Sequence, residues 1–303
     1  MIRIPEALSA SLRKYEPEIS TAWLEALPTL ANTYLERWHL RLDGEPAHGV
    51  VALVLPVTKS DGQRAALKLQ PVSAETIDEP VALRQWNGNG AVLLLEHDPE
   101  TGTMLLERLR ADRSLSTMRD EIAAVRILSE LMARLVTQQA PEGMRRLADI
   151  AEAMVERTPR VASALPDPDD RRLLHTCAAA VRELLPEAGD RLLHWDLHYD
   201  NILTGDREPW LAIDPKPLAG DPAFELLPAL VNRWDDVVAS GDVRRGILRR
   251  FDAMTEILGL DRQRATGWTL GRVLQNCLWV ITDHEPALPP EQTAIAHTLL
   301  SRT

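Results

Sequence analysis

Cysteine and lysine are both scarce in this 303-residue chain. The two cysteines, Cys177 and Cys277, lie in runs that read as helix, and no C-x-x-C pair occurs. This excludes a disulfide scaffold and a cysteine zinc site, and it points to a reducing compartment, the cytoplasm. Lysine supplies only four of the 34 basic residues: Lys14, Lys59, Lys68 and Lys216. With arginine covering the ordinary surface work, each lysine is a candidate for a specific task. No stretch approaches the roughly 18 uninterrupted apolar residues of a spanning helix. The N-terminus has no apolar core followed by a small-residue cleavage site. A soluble, non-secreted protein without a membrane partner is therefore expected. Basic charge is also short, with a formal net charge of −11 and a pI near 5.3. Nucleic acid, whose binding rests on a cationic surface, is excluded as a partner, whereas cations are attracted.

What is present describes an ordinary globular protein: 45% apolar and 26% charged residues, in a chain long enough for two lobes. Residues 18–39 have apolar positions at helical spacing, with a break expected at Pro28. The texture then changes. Residues 50–57 (VVALVLPV) read as a strand, Ser60-Asp61-Gly62 as a turn and 64–70 (RAALKLQ) as the returning strand. A helix is expected between Ala74 and Trp86, broken or begun at Pro80 and stopped by Asn87-Gly88-Asn89-Gly90. A second hairpin, 91–98 with 103–109, turns at Pro99–Gly102. From Ser116 amphipathic helices dominate, over about 116–138, 145–157, 168–186, 224–239, 243–258 and 263–282. An irregular island at 191–214 interrupts them. The expected class is α+β, with a small, mostly antiparallel β-rich lobe over 1–108 and a larger helical lobe over 109–303.

The island, RLLHWDLHYDNILTGDREPWLAIDPK, places His194 two residues before Asp196, Asn201 five after it, and Asp214 at the end of an apolar strand. Phosphoryl transfer needs a group that orients a hydroxyl and accepts its proton, and oxygen ligands that hold Mg²⁺ against phosphates. One loop can offer the Asp196 carboxylate to the acceptor and the Asn201 amide oxygen to the metal. Asp214 adds a charged ligand to the same Mg²⁺. The segment matches the kinase pattern H-R-D-L-x-x-x-N. His194 is expected to fix the loop by hydrogen bonds; His198 lies in the same loop, with its role open. Lys68, in the second strand of a hairpin that precedes a helix, suits the nucleotide's α/β-phosphates. Glu79 is favoured over Glu75 as its partner, since Pro80 belongs in a first helical turn. Gly44 and Gly49 precede the first strand where a phosphate-covering loop belongs, although neither G-x-G-x-x-G nor a Walker A pattern occurs. Most of the eight tryptophans, Trp279 among them, sit on apolar stripes and read as core.

HWDLHYDN, AIDPKPLAGDPAFEL, RWHLRLDGE, HDPETGTMLLERL and GWTLGRVLQNCLW together resemble the aminoglycoside phosphotransferases, in the branch of streptomycin 6-kinases and hydroxyurea phosphotransferases. The resemblance implies a protein-kinase-like two-lobe fold, with ATP in the cleft between the lobes. By motif position it implies Asp196 as catalytic base, Asn201 and Asp214 as Mg²⁺ ligands, and Lys68 on the phosphates. The backbone around Glu107–Leu109 would meet adenine. Asp214-Pro215-Lys216 stands where protein kinases have Asp-Phe-Gly. Glu225 stands where relatives often have aspartate. The acceptor it implies, streptomycin at O6, carries guanidinium groups, so an acidic pocket is expected. His198, Glu225, Asp235, Asp236, Asp283 and Glu285 are its candidate contacts. A monomer is expected. Hydroxyurea or a sugar is the alternative acceptor; a pseudokinase conflicts with the intact Lys68, Asp196, Asn201 and Asp214.

Overall fold

Leu53, Leu55 and Val57, and likewise Ala65, Leu67 and Leu69, alternate along two strands and bury together with Leu8, Leu12, Leu27, Ala31 and Tyr34. Residues two apart share a face of a sheet, so one face takes the leading helices as its cover. The computed structural model describes residues 2–282 and 287–302. In chain order the N-terminal elements are α1 (Glu6–Tyr15), α2 (Pro17–Arg37), β1 (Leu40–Leu42), β2 (Ala47–His48), β3 (Leu53–Lys59), β4 (Arg64–Leu69), α3 (Glu79–Trp86), β5 (Leu94–Asp98) and β6 (Thr103–Glu107). They form one antiparallel sheet in the order β1-β3-β4-β6-β5, with β2 added on β3. Lys68 pairs in register with Val54 on one side and Met104 on the other, so its strand is central. A lysine there does not guard an edge.

The break expected at Pro28 is absent: α2 runs through it to Arg37. Proline inside a helix costs about 3 kcal/mol. Burial of Leu27, Ala31 and Tyr34 on the surrounding turns outweighs that cost. Helix α3 starts at Glu79, with Pro80 in its first turn and Asn87 in a left-handed C-cap.

The remaining elements are β7 (Arg110–Ser114), α4 (Glu121–Leu135), α5 (Leu147–Ala164), α6 (Pro168–Leu184), β8 (Arg191–Leu193), β9 (Ile202–Thr204), β10 (Leu211–Ala212), β11 (Leu218–Gly220), α7 (Leu226–Val231), α8 (Trp234–Ala239), α9 (Val243–Leu258), α10 (Arg262–Thr282) and α11 (Pro290–Leu300). The helix expected from 116 starts only at Glu121, where the Asp120 carboxylate accepts Ala123 N–H at 3.1 Å. Helix α5 continues through Pro159 to Ala164. The single helix expected over 224–239 is a 3₁₀ turn (Pro222–Glu225) followed by α7 and α8, divided at Arg233 with φ +50°. Helices α1 and α11 and the short strands β1, β2 and β7 lie outside the expected spans.

The chain divides into two compact units, Met1–Ala111 with Thr204–Pro209, and Asp112–Leu203 with Trp210–Thr303. The boundary expected after 108 falls after Ala111, and a short hairpin turn from the island belongs with the first unit. In the second unit α10 packs on α5 and α6. Cys277 on α10 and Cys177 on α6 are both fully buried, and burial pushes the Cys177 thiol up to about 12. Among the described residues no helix is long and apolar enough to cross a membrane.

Candidate active site

Within the first unit, Lys68 and Glu79 form a closed ion pair. The Lys68 ammonium lies 2.7 and 2.8 Å from the two Glu79 oxygens, and Gln70 Nε2 donates to the second at 2.6 Å. Lys68 is 4% exposed and Glu79 0%. A buried charge is tolerated only when paired and hydrogen-bonded, and here both conditions hold. Glu75 is exposed and takes no part, so the choice between the two glutamates falls on Glu79. Gly49 sits at the tip of the β2–β3 hairpin, where its N–H reaches Ala52 O at 2.9 Å. Gly44 lies at the foot of that hairpin with φ +146°, and a Cβ there would meet the Pro56 side chain at 3.3 Å. The Glu107 carboxylate is engaged locally, accepting Leu93 N–H at 2.9 Å and Arg207 at 2.6 Å. Leu109 is buried.

In the second unit β8 and β10 deliver the catalytic-type loop. Asn201 closes a 3₁₀ turn (Tyr199–Asn201), and its Nδ2 donates to Asp196 O at 2.9 Å. With Nδ2 so engaged, the amide oxygen is the atom of Asn201 that could serve as a ligand. Ile213 N–H donates to Asn201 O at 2.9 Å, which fixes Asp214 beside Asn201. The Asp196 side chain remains 37% exposed, with His198 Nε2 at 3.9 Å from its Oδ2. Partial burial first, then the nearby Asp214 charge, push the Asp196 carboxyl up, while His198, Arg272 and Lys216 oppose them. His194 is buried, its Nε2 donating to Ile213 O at 3.0 Å. Burial drives its pKa down to about 3, so the ring is neutral and holds the loop. Lys216 Nζ stands 3.3 Å from Asp214 Oδ1.

Trp195 and Asp214 are both non-glycine residues with positive φ, +65° and +56°. Such backbone persists only where the surroundings over-determine it. Around Trp195 they do. Its N–H donates to Glu225 at 2.5 Å and its carbonyl accepts from Arg272 at 3.2 Å. The guanidiniums of Arg145 and Arg272 each lie 4.9 Å from its ring centroid, and the ring of Trp279 lies 6.1 Å away. Burial pushes the Glu225 carboxyl up to about 7. Arg272 and Arg145 were missed in the sequence because their only signal is spatial: Arg272 lies on α10 and Arg145 in the loop before α5, both far along the chain from Trp195.

The expected acceptor contacts divide. Glu225 is enclosed and accepts the Trp195 N–H, so it supports the loop. Asp236 is exposed but tied to Arg233 Nε at 2.5 Å. Asp235 is exposed on α8, and His198 stands beside Asp196. Asp283 and Glu285 lie outside the described residues. Trp279, expected in the core, is 41% exposed.

Asp214 and Asn201 supply one carboxylate and one amide oxygen. That set suits a Mg²⁺ that takes its remaining ligands from phosphates and water, and is too small for an all-protein cage. Among the described residues no group of three or more His, Cys, Asp or Glu side chains is placed to hold a metal alone.

The family model for aminoglycoside/hydroxyurea antibiotic resistance kinases matches residues 37–283. The chain is 56% identical to the streptomycin 6-kinase of Streptomyces glaucescens, over 99% of this chain and 97% of that protein. It is 52% identical to the hydroxyurea phosphotransferase of Kitasatospora aureofaciens, over 100% of this chain and 87% of that one. The crystal structure of aminoglycoside phosphotransferase APH(4)-Ia shares the fold, with a TM-score of 0.59 at 13% identity, over 91% of this chain and 99% of that one. By that family match and these identities, the chain belongs to the aminoglycoside/hydroxyurea antibiotic resistance kinase family.

Proposed function

We propose that the chain transfers the γ-phosphoryl of ATP to a hydroxyl of an aminoglycoside, streptomycin at O6, and so confers resistance. The observation that carries this is the joined loop in which Asp196, Asn201 and Asp214 are fixed by the Asn201–Ile213 and Asn201–Asp196 hydrogen bonds. The 56% identity to a streptomycin 6-kinase supports the acceptor. Hydroxyurea is the second reading, on the 52% identity to a hydroxyurea phosphotransferase.

In this reading Asp196 orients the acceptor hydroxyl and takes its proton. Its raised affinity for a proton makes it a better base at neutral pH than an ordinary aspartate. Asn201 and Asp214 would hold Mg²⁺, which when bound neutralises phosphate charge. Lys68, kept in one rotamer by Glu79, meets the α/β-phosphates, with the Gly49 hairpin over them. The backbone of Glu107–Leu109 receives adenine, and Gly44 shapes the hairpin from its foot. Asp235 and Asp236 on α8 and His198 beside Asp196 are candidate contacts for the acceptor, as are Asp283 and Glu285 outside the described residues, and the net charge of −11 favours a polycation. The protein works as a cytoplasmic monomer.

Incubating the protein with Mg-ATP and streptomycin, other aminoglycosides, hydroxyurea and aminosugars, with mass spectrometry of the products, tests the reading. One added phosphoryl group on streptomycin is expected. Product from hydroxyurea alone would replace the acceptor, and no product from any compound would sink the kinase reading. Asp196→Ala should lower kcat by about 10²–10⁴-fold with ATP affinity nearly unchanged.

A further inference from the structure

Lys216 is one of the four lysines, and no step so far uses it. Lys14 is exposed, and Lys59 serves a hairpin turn, 3.4 Å from Asp61. Lys68 and Lys216 are the enclosed pair, Lys216 with 15% of its side chain exposed. Its backbone is pinned on both sides, by N–H to His194 O at 3.0 Å and by Arg145 donating to its carbonyl at 3.4 Å. The ammonium stands 3.3 Å from Asp214 Oδ1, and the backbone N–H of Lys216 holds His194, two residues before Asp196. Lys216 is therefore tied to both the Asp214 end and the Asp196 end of the loop.

A counter-ion for Asp214 alone would need no lysine, since this chain uses arginine for nearly every other ion pair. Lysine differs in being a compact point charge that can serve one tetrahedral oxygen, where a guanidinium fork would demand two. We propose that Lys216 is a catalytic residue whose ammonium contacts a non-bridging oxygen of the transferring γ-phosphoryl. The inference rests on the phosphotransferase reading above. In the step it serves, the acceptor oxygen bonds to Pγ and its proton passes to Asp196. The bond from Pγ to the β–γ bridging oxygen breaks, and that electron pair leaves with ADP. Lys216 gives up no proton; it stabilises charge on the equatorial oxygens.

Lys216→Met and Lys216→Arg, compared with wild type, test this by turnover and by calorimetric binding of ATP and ADP at saturating Mg²⁺. Lys216→Met should lower kcat about 10²–10³-fold, the cost of removing one preorganised donor. It should weaken ATP about 10-fold while ADP, which lacks the γ-phosphoryl, stays within about two-fold. Lys216→Arg should recover part of both losses. An unchanged kcat or equal weakening of ATP and ADP would overturn the assignment and leave Lys216 as Asp214's counter-ion. A melting curve matching wild type excludes misfolding as the cause. If wild type phosphorylates nothing in the panel, the phosphotransferase reading fails by itself. The ATP/ADP ratio then still decides whether Lys216 meets a γ-phosphoryl.

Discussion

Glu225→Gln isolates the cost of keeping a carboxyl beneath the catalytic-type loop. The side chain is 1% exposed and its pKa is pushed up from 4.5 to about 7, chiefly by burial. In the unfolded chain it titrates at its ordinary value. Between those two pH values the folded protein holds a proton that the unfolded chain has released. Stability from this group is therefore complete below the unfolded pKa and is lost as pH rises through the folded one. The separation amounts to about 3 kcal/mol in full. Glutamine keeps an oxygen for Trp195 N–H and has nothing to ionise, so its stability lacks this slope. Urea denaturation of both proteins from pH 5 to pH 8, followed by tryptophan fluorescence, gives the difference with other titrating groups cancelled. The variant should gain on wild type by about 1 kcal/mol per pH unit over the middle of that range and level off above pH 7. Parallel curves would refute the argument. They would mean that nearby Arg272 and the backbone donors keep Glu225 ionised throughout, despite its burial.

Two further outcomes follow from the first unit. Lys68→Met should lower stability by about 3–5 kcal/mol, since it strands the buried Glu79 charge; Lys68→Met with Glu79→Leu should regain most of that. Neither protein should bind ATP well, and tight ATP binding by the double variant would remove Lys68 from the nucleotide site. Gly44→Ala should cost about 1–3 kcal/mol through its positive φ, read as a lower Tm. Gly49→Ala, with open space around the new methyl, should leave Tm unchanged. Equal Tm values for the two variants would contradict that contrast.

The reacting loop was legible because its spacing is local: Asp196, Asn201 and Asp214 fall within one short island, and strand pairing could only bring them together. Glu79 was legible through Pro80, whose place in a first helical turn fixed where the helix begins. Helix ends were less so. Pro28 and Pro159 sit inside helices because buried neighbours overrule a local penalty, and no single-residue signal reports that. The division at Asn232–Arg233 was hidden for a similar reason: Asn232 Oδ1 accepts Tyr199 N–H at 2.7 Å, a partner 33 residues away. The enclosure of Glu225 was not legible, because the loop that covers it comes from 30 residues earlier in the chain. The support of Trp195 by Arg145 and Arg272 has no sequence pattern at all, being assembled from the loop before α5 and from α10.

The sealed cysteines make the protein a ready vehicle for site-directed spin or dye labelling. Cys177 and Cys277 are buried to 0% exposure, and burial raises both thiols well above the pH at which labelling reagents work. A cysteine introduced on the surface would therefore be the reactive one, without first stripping the native pair. One such label on the β2–β3 hairpin and another on α8 would turn the distance between the two units into a spectroscopic readout as nucleotide and acceptor are added.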